Sequence, residues 1–110
     1  MAKFGYLILN NGVWNNGRII SEKWIEKTTS EYIAIPNRAW EGERFGYQWW
    51  LKTYTADSGT VEAIVRSGWG GQAIVLFPKF GLVVTLTGGN YVSQDPVNEI
   101  IALYIIPSVV

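Results

Sequence analysis

Gln72-Ala-Ile-Val-Leu-Phe77 is apolar on both of its alternating faces. Ala73, Val75 and Phe77 fall on one side of a strand, Ile74 and Leu76 on the other. Such a strand is stable only in a sheet covered on both sides. The rest of the chain must therefore supply flanking strands and two covering layers. From Thr60 to Arg66 and from Leu82 to Thr87 the pattern reads as neighbouring strands. Pro78-Lys-Phe-Gly81 supplies the tight connection to the second of these. Asp57-Ser58-Gly59 is a further turn, and the aromatic run Tyr47–Leu51 reads as a first strand.

The covering layers are readable as helices. Residues 2 to 10 place Phe4, Leu7 and Ile8 on one apolar face. Asn10-Asn11-Gly12 stops that helix, and Asn15-Asn16-Gly17 marks a second turn. Ser21 is an N-cap followed by Glu22, opening a helix to about Thr29 with Trp24, Ile25 and Thr28 inward. Residues 30 to 43 read as loop around Pro36, Asn37 and Gly42. Asp95-Pro96 reads as the cap and first-turn proline of a last helix. In it Val97, Ile100, Ile101, Tyr104 and Ile105 recur at helical spacing, and Pro107 is expected to end it. The expected class is α+β: an antiparallel sheet of three to four strands, with two N-terminal helices and a C-terminal helix packed on it. It forms a single unit over residues 1–110, helical and loop in 1–43, stranded in 44–90 and helical in 94–106.

Composition narrows what such a fold can do. With 48% apolar and 16% charged residues, the 110-residue chain can build a core. Lys and Arg balance Asp and Glu at nine each, which gives no electrostatic case for nucleic acid. Cys and His are both absent, so metal sites of the usual N/S type, cysteine nucleophiles and a Ser-His-Asp triad are excluded. No cofactor or metal is expected. No apolar run reaches the roughly 18–20 residues of a membrane span. Residues 1–10 are not expected to act as a signal peptide, because their apolar part is too short.

The most distinctive segment is Ser67-Gly68-Trp69-Gly70-Gly71-Gln72, between two strands. Glycines here let the backbone approach a ligand and offer it N–H groups, or simply make a glycine-rich turn around a core Trp. The residues alone leave both open. Thr87-Gly88-Gly89-Asn90 lacks the length and the Lys of a phosphate loop and reads as a connection. Glu22 and Glu26 interleave with Lys23 and Lys27, which describes a solvated helix face rather than a catalytic pair; Glu41 and Glu43 are the other carboxylate pair. Six Trp and six Tyr could build a stacking platform for a carbohydrate or could be core.

Taken together, these segments resemble a known family. Met1–Trp14 and Gly17–Trp24 are similar to the helical segment before the last strands of serine beta-lactamase and penicillin-binding-protein-like hydrolases. Phe45–Leu51 resembles their aromatic strand. Gly68-Trp-Gly-Gly-Gln72, Phe77-Pro78 and Leu82–Thr87 resemble their final strands, in the flavour of the esterase and 6-aminohexanoate-dimer-hydrolase branch. The resemblance implies a Ser nucleophile in S-x-x-K and a later Tyr that manages protons. No Ser here has Lys three residues on, and no Tyr has Asn two residues on. The family's K-T-G or H-x-G element corresponds to Trp69-Gly70-Gly71. That implies an oxyanion-hole N–H from Trp69, Gly70, Gly71 or Gln72, and no cation for a beta-lactam carboxylate.

The resemblance thus implies the C-terminal portion of an ester- or amide-hydrolysing parent, inactive alone, which begins inside a larger domain. Such parents are exported by family habit. With partner strands missing, Leu82–Thr87 should be an unpaired edge, and association into a homo-oligomer or swapped dimer follows. The competing expectations are an independent aromatic-rich binding module and an accessory domain completed by a partner.

Overall fold

The strand Gln72–Phe77 lies second from one edge of an antiparallel sheet whose strand order follows the chain. The computed structural model describes residues 1–34, 44–93 and 96–110. It begins with α1 (Ala2–Leu9), the small hairpin β1 (Val13–Trp14) and β2 (Gly17–Arg18), and α2 (Glu22–Thr28). The sheet follows as β3 (Ile33–Ala34), β4 (Arg44–Phe45), β5 (Trp50–Ala56), β6 (Gly59–Gly68), β7 (Gln72–Phe77) and β8 (Leu82–Leu86). A C-terminal helical run closes the chain: α3 (Val97–Ile100), a π-helical turn (Ile101–Ile105) and α4 (Ile106–Val109). The architecture is α+β, as expected.

Both faces of β7 are covered. Val75 and Phe77 are fully buried against Val61, Ala63 and Val65 of β6 and against Val97, Ile101 and Ile106 of the C-terminal run. On the opposite face Ile74 and Leu76 pack with Ile8 of α1, Ile25 of α2 and Trp49. Each such side chain contributes about 1.5–3 kcal/mol on burial, so covering both faces of β7 adds to the stability of the sheet. Gly5 sits where α1 crosses this face. A β-carbon there would come within 2.8 Å of both Ile74 and Val83, so the missing side chain sets how closely the helix can lie.

Among the described residues the sheet has six strands, not three to four. The two extra members, β3 and β4, are two-residue strands with no periodicity to read. They exist through tertiary pairing: Tyr32 donates to the Phe45 carbonyl at 2.9 Å, and Arg44 and Phe45 pair with Leu51 and Trp50. So residues 33–34, expected as loop, are sheet, while Pro36, Asn37, Glu41, Gly42 and Glu43 lie outside the described residues. The strand expected at Tyr47–Leu51 begins only at Trp50. Residues 46–49 instead form the connection, closed by Gly46 N–H to Trp49 C=O at 2.8 Å, with Gln48 at φ +66°.

The local punctuation is largely where expected. Ser21 is extended, and its hydroxyl accepts from Trp24 N–H at 3.2 Å, capping α2. Asn15 and Asn16 take positive φ and turn β1 into β2. Three details differ. Trp24 is 51% exposed, so only Ile25 and Thr28 of its expected trio are buried. The buried face of α1 is Gly5 and Ile8, with Phe4 48% exposed. Pro107 does not end the last helix, which runs on to Val109. The π-helical turn before it explains this: Ile106 N–H bonds back to the Ile101 carbonyl, five residues earlier, and the widened turn relieves the crowding a proline ring causes. Pro96 precedes the first helical turn, and its suggested companion cap Asp95 lies outside the described residues.

Candidate functional site

The segment singled out in the sequence is the tip of the β6–β7 hairpin. Gly68 pairs with Gln72, and Trp69-Gly70-Gly71 makes the turn. Gly70 and Gly71 have φ of +89° and +96°, conformations that L side chains rarely adopt, and both are buried. Trp69 is not a core residue: 79% of it is exposed. Of the two readings the sequence left open, a core Trp in a plain turn is therefore not what the fold contains.

A second segment straps the tip from the side. Asn90 N–H donates to the Gly70 carbonyl at 2.9 Å. The Gln72 side-chain amide donates to the Gly88 carbonyl. The Tyr91 ring meets Trp69 edge-on, with centroids 5.4 Å apart and planes at 74°. The Tyr91 ring also occupies the space a Gly70 side chain would take. Trp69, Gly70, Gly71 and Gln72 are thus brought together and held by Gly88, Asn90 and Tyr91. Gly88 and Asn90 were readable in the sequence only as a connection, and nothing in the sequence marked Tyr91. The signal was the glycine pair Gly88-Gly89, whose meaning depends on the hairpin it touches.

Beside the tip, on the α1 side of the sheet, lies a cavity of about 330 Å³ bordered by Arg66, Ser67, Gly68, Gln72 and Met1. Of the hairpin end, Gly68 and Gln72 face this space, while Trp69, Gly70 and Gly71 do not line it. Glu22 and Glu26 lie exposed on α2, and neither borders this cavity.

Among the described residues the aromatic rings do not form one stacking platform. Trp49 is buried, Trp24 meets Tyr47 at 56°, and Trp69 meets Tyr91 edge-on. A sugar-binding face needs several exposed rings in one plane, so the geometry disfavours the carbohydrate module. No helix among the described residues is long and apolar enough to cross a membrane. β8 is the outer strand of the sheet at the end opposite β3.

Comparison with models of known protein families and with curated protein sequences finds no match. Solved structures do match. One, described as "Putative 6-aminohexanoate-dimer hydrolase from Bacillus anthracis", superposes over 98% of this chain with a TM-score of 0.71 and 22% sequence identity. The chain therefore shares the fold of the corresponding part of that structure. The chain spans 27% of the length of that neighbour.

Proposed function

We infer that the chain forms the substrate-side wall of a beta-lactamase-like serine hydrolase acting on esters or amides, and that it is inactive by itself. The observation that supports this best is the hairpin tip. In a fold of this kind, Gly68 and Gln72 border an open cavity, and Gly70 and Gly71 at positive φ close the turn between them. Straps from Gly88 and Asn90 fix it in place.

Acyl transfer places negative charge on the carbonyl oxygen. A backbone N–H already aimed at that oxygen stabilises it without reorganising. A rigid hairpin end meets that demand better than a mobile loop. An N–H within Trp69–Gln72 is the proposed donor. The nucleophile and proton-handling groups would come from an S-x-x-K and Tyr-containing polypeptide, since no Ser in this chain has Lys three residues on. By the resemblance, Trp69 takes the place of the family's Lys or His, which favours neutral ester or amide substrates.

The test is turnover of p-nitrophenyl acetate and nitrocefin by the chain alone and after co-expression with an S-x-x-K polypeptide of this fold. The expected result is background for the chain alone and ester hydrolysis, without nitrocefin turnover, for the pair. Stoichiometric acylation of a Ser in this chain would overturn the reading.

A further inference from the structure

Arg66 stands on β6 opposite Ile74, on the face of the sheet that α1 and α2 cover. It borders two cavities at once. One is the space beside the hairpin tip described above. The other, of about 280 Å³, lies among Phe4, Ile8, Trp24, Tyr47 and Trp49. Its floor is apolar, with Ile8 and Trp49 buried. Its walls are aromatic. Phe4 lies nearly parallel to Trp49 with centroids 6.4 Å apart, and Trp24 meets Tyr47 at 6.0 Å.

Two observations mark this groove as more than a packing gap. Phe4 and Trp24 are each about half exposed along it, leaving large apolar surface on offer. And among the described residues Arg66 is the one charged side chain lining it, and none bordering either cavity is a carboxylate. Among the described residues Arg66 is in no ion pair. Its guanidinium Nη2 donates to a neutral acceptor, Gln48 Oε1, at 2.6 Å. Gln48 holds a positive φ of 66°, a conformation uncommon outside glycine, at the turn that brings it to Arg66. One bond to Gln48 leaves most of the guanidinium's five donors available, in a fork that fits a carboxylate. Lys27 adds a second positive charge next to the Tyr47 wall, its Nζ 5.7 Å from the ring centroid.

We propose that this groove binds a short aliphatic carboxylate, its chain against Phe4, Trp24 and Trp49 and its carboxylate on Arg66. An exposed ion pair alone is weak, so the chain and the charge are both required. Acetate lacks the first and a neutral alcohol lacks the second. The site needs no catalysis, so it stands or falls apart from the hydrolase reading.

The experiment titrates hexanoate into the 110-residue chain near neutral pH, following Trp fluorescence and ¹H–¹⁵N spectra. Saturable binding is expected, with shifts at the Trp24 and Trp49 indole N–H. Hexan-1-ol should bind at least about tenfold more weakly, the loss expected of a charge-assisted hydrogen bond. Arg66→Gln should lose a similar factor and Arg66→Lys should recover part of it, with circular dichroism verifying the fold. Absence of saturable hexanoate binding, equal binding of hexan-1-ol, an unaffected folded Arg66→Gln variant, or shifts confined to residues 69–72 would each overturn the proposal. Should Arg66→Gln unfold, the hexanoate-to-hexanol comparison in the native chain decides.

Discussion

Replacing Gly70 by Ala separates the two reasons that glycine stands at the hairpin tip. The first is conformational: φ is +89°, and an L side chain held on that side of the map costs about 1–2 kcal/mol. The second is steric. The new β-carbon would lie 2.5 Å from Tyr91 Cε1 and 2.9 Å from Cδ1, so the ring must swing away. That motion breaks its edge-on contact with Trp69, worth about 0.5–1.5 kcal/mol. The sum is about 1.5–3.5 kcal/mol of destabilisation. In a Tyr91→Ala background only the conformational part should survive, about 1–2 kcal/mol. The double-mutant cycle should therefore show a coupling of about 0.5–1.5 kcal/mol between positions 70 and 91. Urea unfolding followed by far-ultraviolet circular dichroism measures all four proteins. A Gly70→Ala cost below about 0.5 kcal/mol, or strictly additive substitutions, would refute the claim that Tyr91 and the positive φ together shape the tip.

Other perturbations test separate parts of the structure. Phe77→Ala removes a fully buried ring that contacts Tyr54 and Phe80, and should cost about 3–5 kcal/mol in the same assay. Ser21→Ala should cost about 1 kcal/mol through loss of the α2 cap, while Ser21→Asp should stay within a few tenths of native. β8 ends the sheet as an uncharged apolar strand, so sedimentation should reveal self-association that rises with concentration; a monomer throughout would remove that expectation.

How far the residues alone lead can be judged from particular segments. β7 was legible to the residue because an apolar run bounded by glycine and proline leaves little choice. Ser21 was legible because its capping bond is local. Failures came where distant partners decide. The pairs Ile33–Ala34 and Arg44–Phe45 become strands through neighbours, with no pattern of their own. Pro107 forbids one hydrogen bond but not a helix that first widens into a π turn. Trp24 follows the inward spacing yet faces a groove whose other wall lies in a different segment. At the site, Trp69–Gln72 stood out by composition. Asn90 and Tyr91 did not, because their role is to hold a hairpin some twenty residues earlier in the chain. Gln48's backbone conformation has no sequence signature at all.

The proposed oxyanion wall rests on a backbone N–H of the hairpin tip that stabilises developing charge on a substrate carbonyl. Amide-to-ester substitution at Trp69, Gly70, Gly71 and Gln72 in turn, within the reconstituted pair, removes one such N–H while keeping the side chains. Loss of an oxyanion donor should lower kcat for p-nitrophenyl acetate about 100–1,000-fold at one of these positions, with KM little changed. If none of the four esters changes kcat by as much as about tenfold, the hairpin tip is not the oxyanion wall.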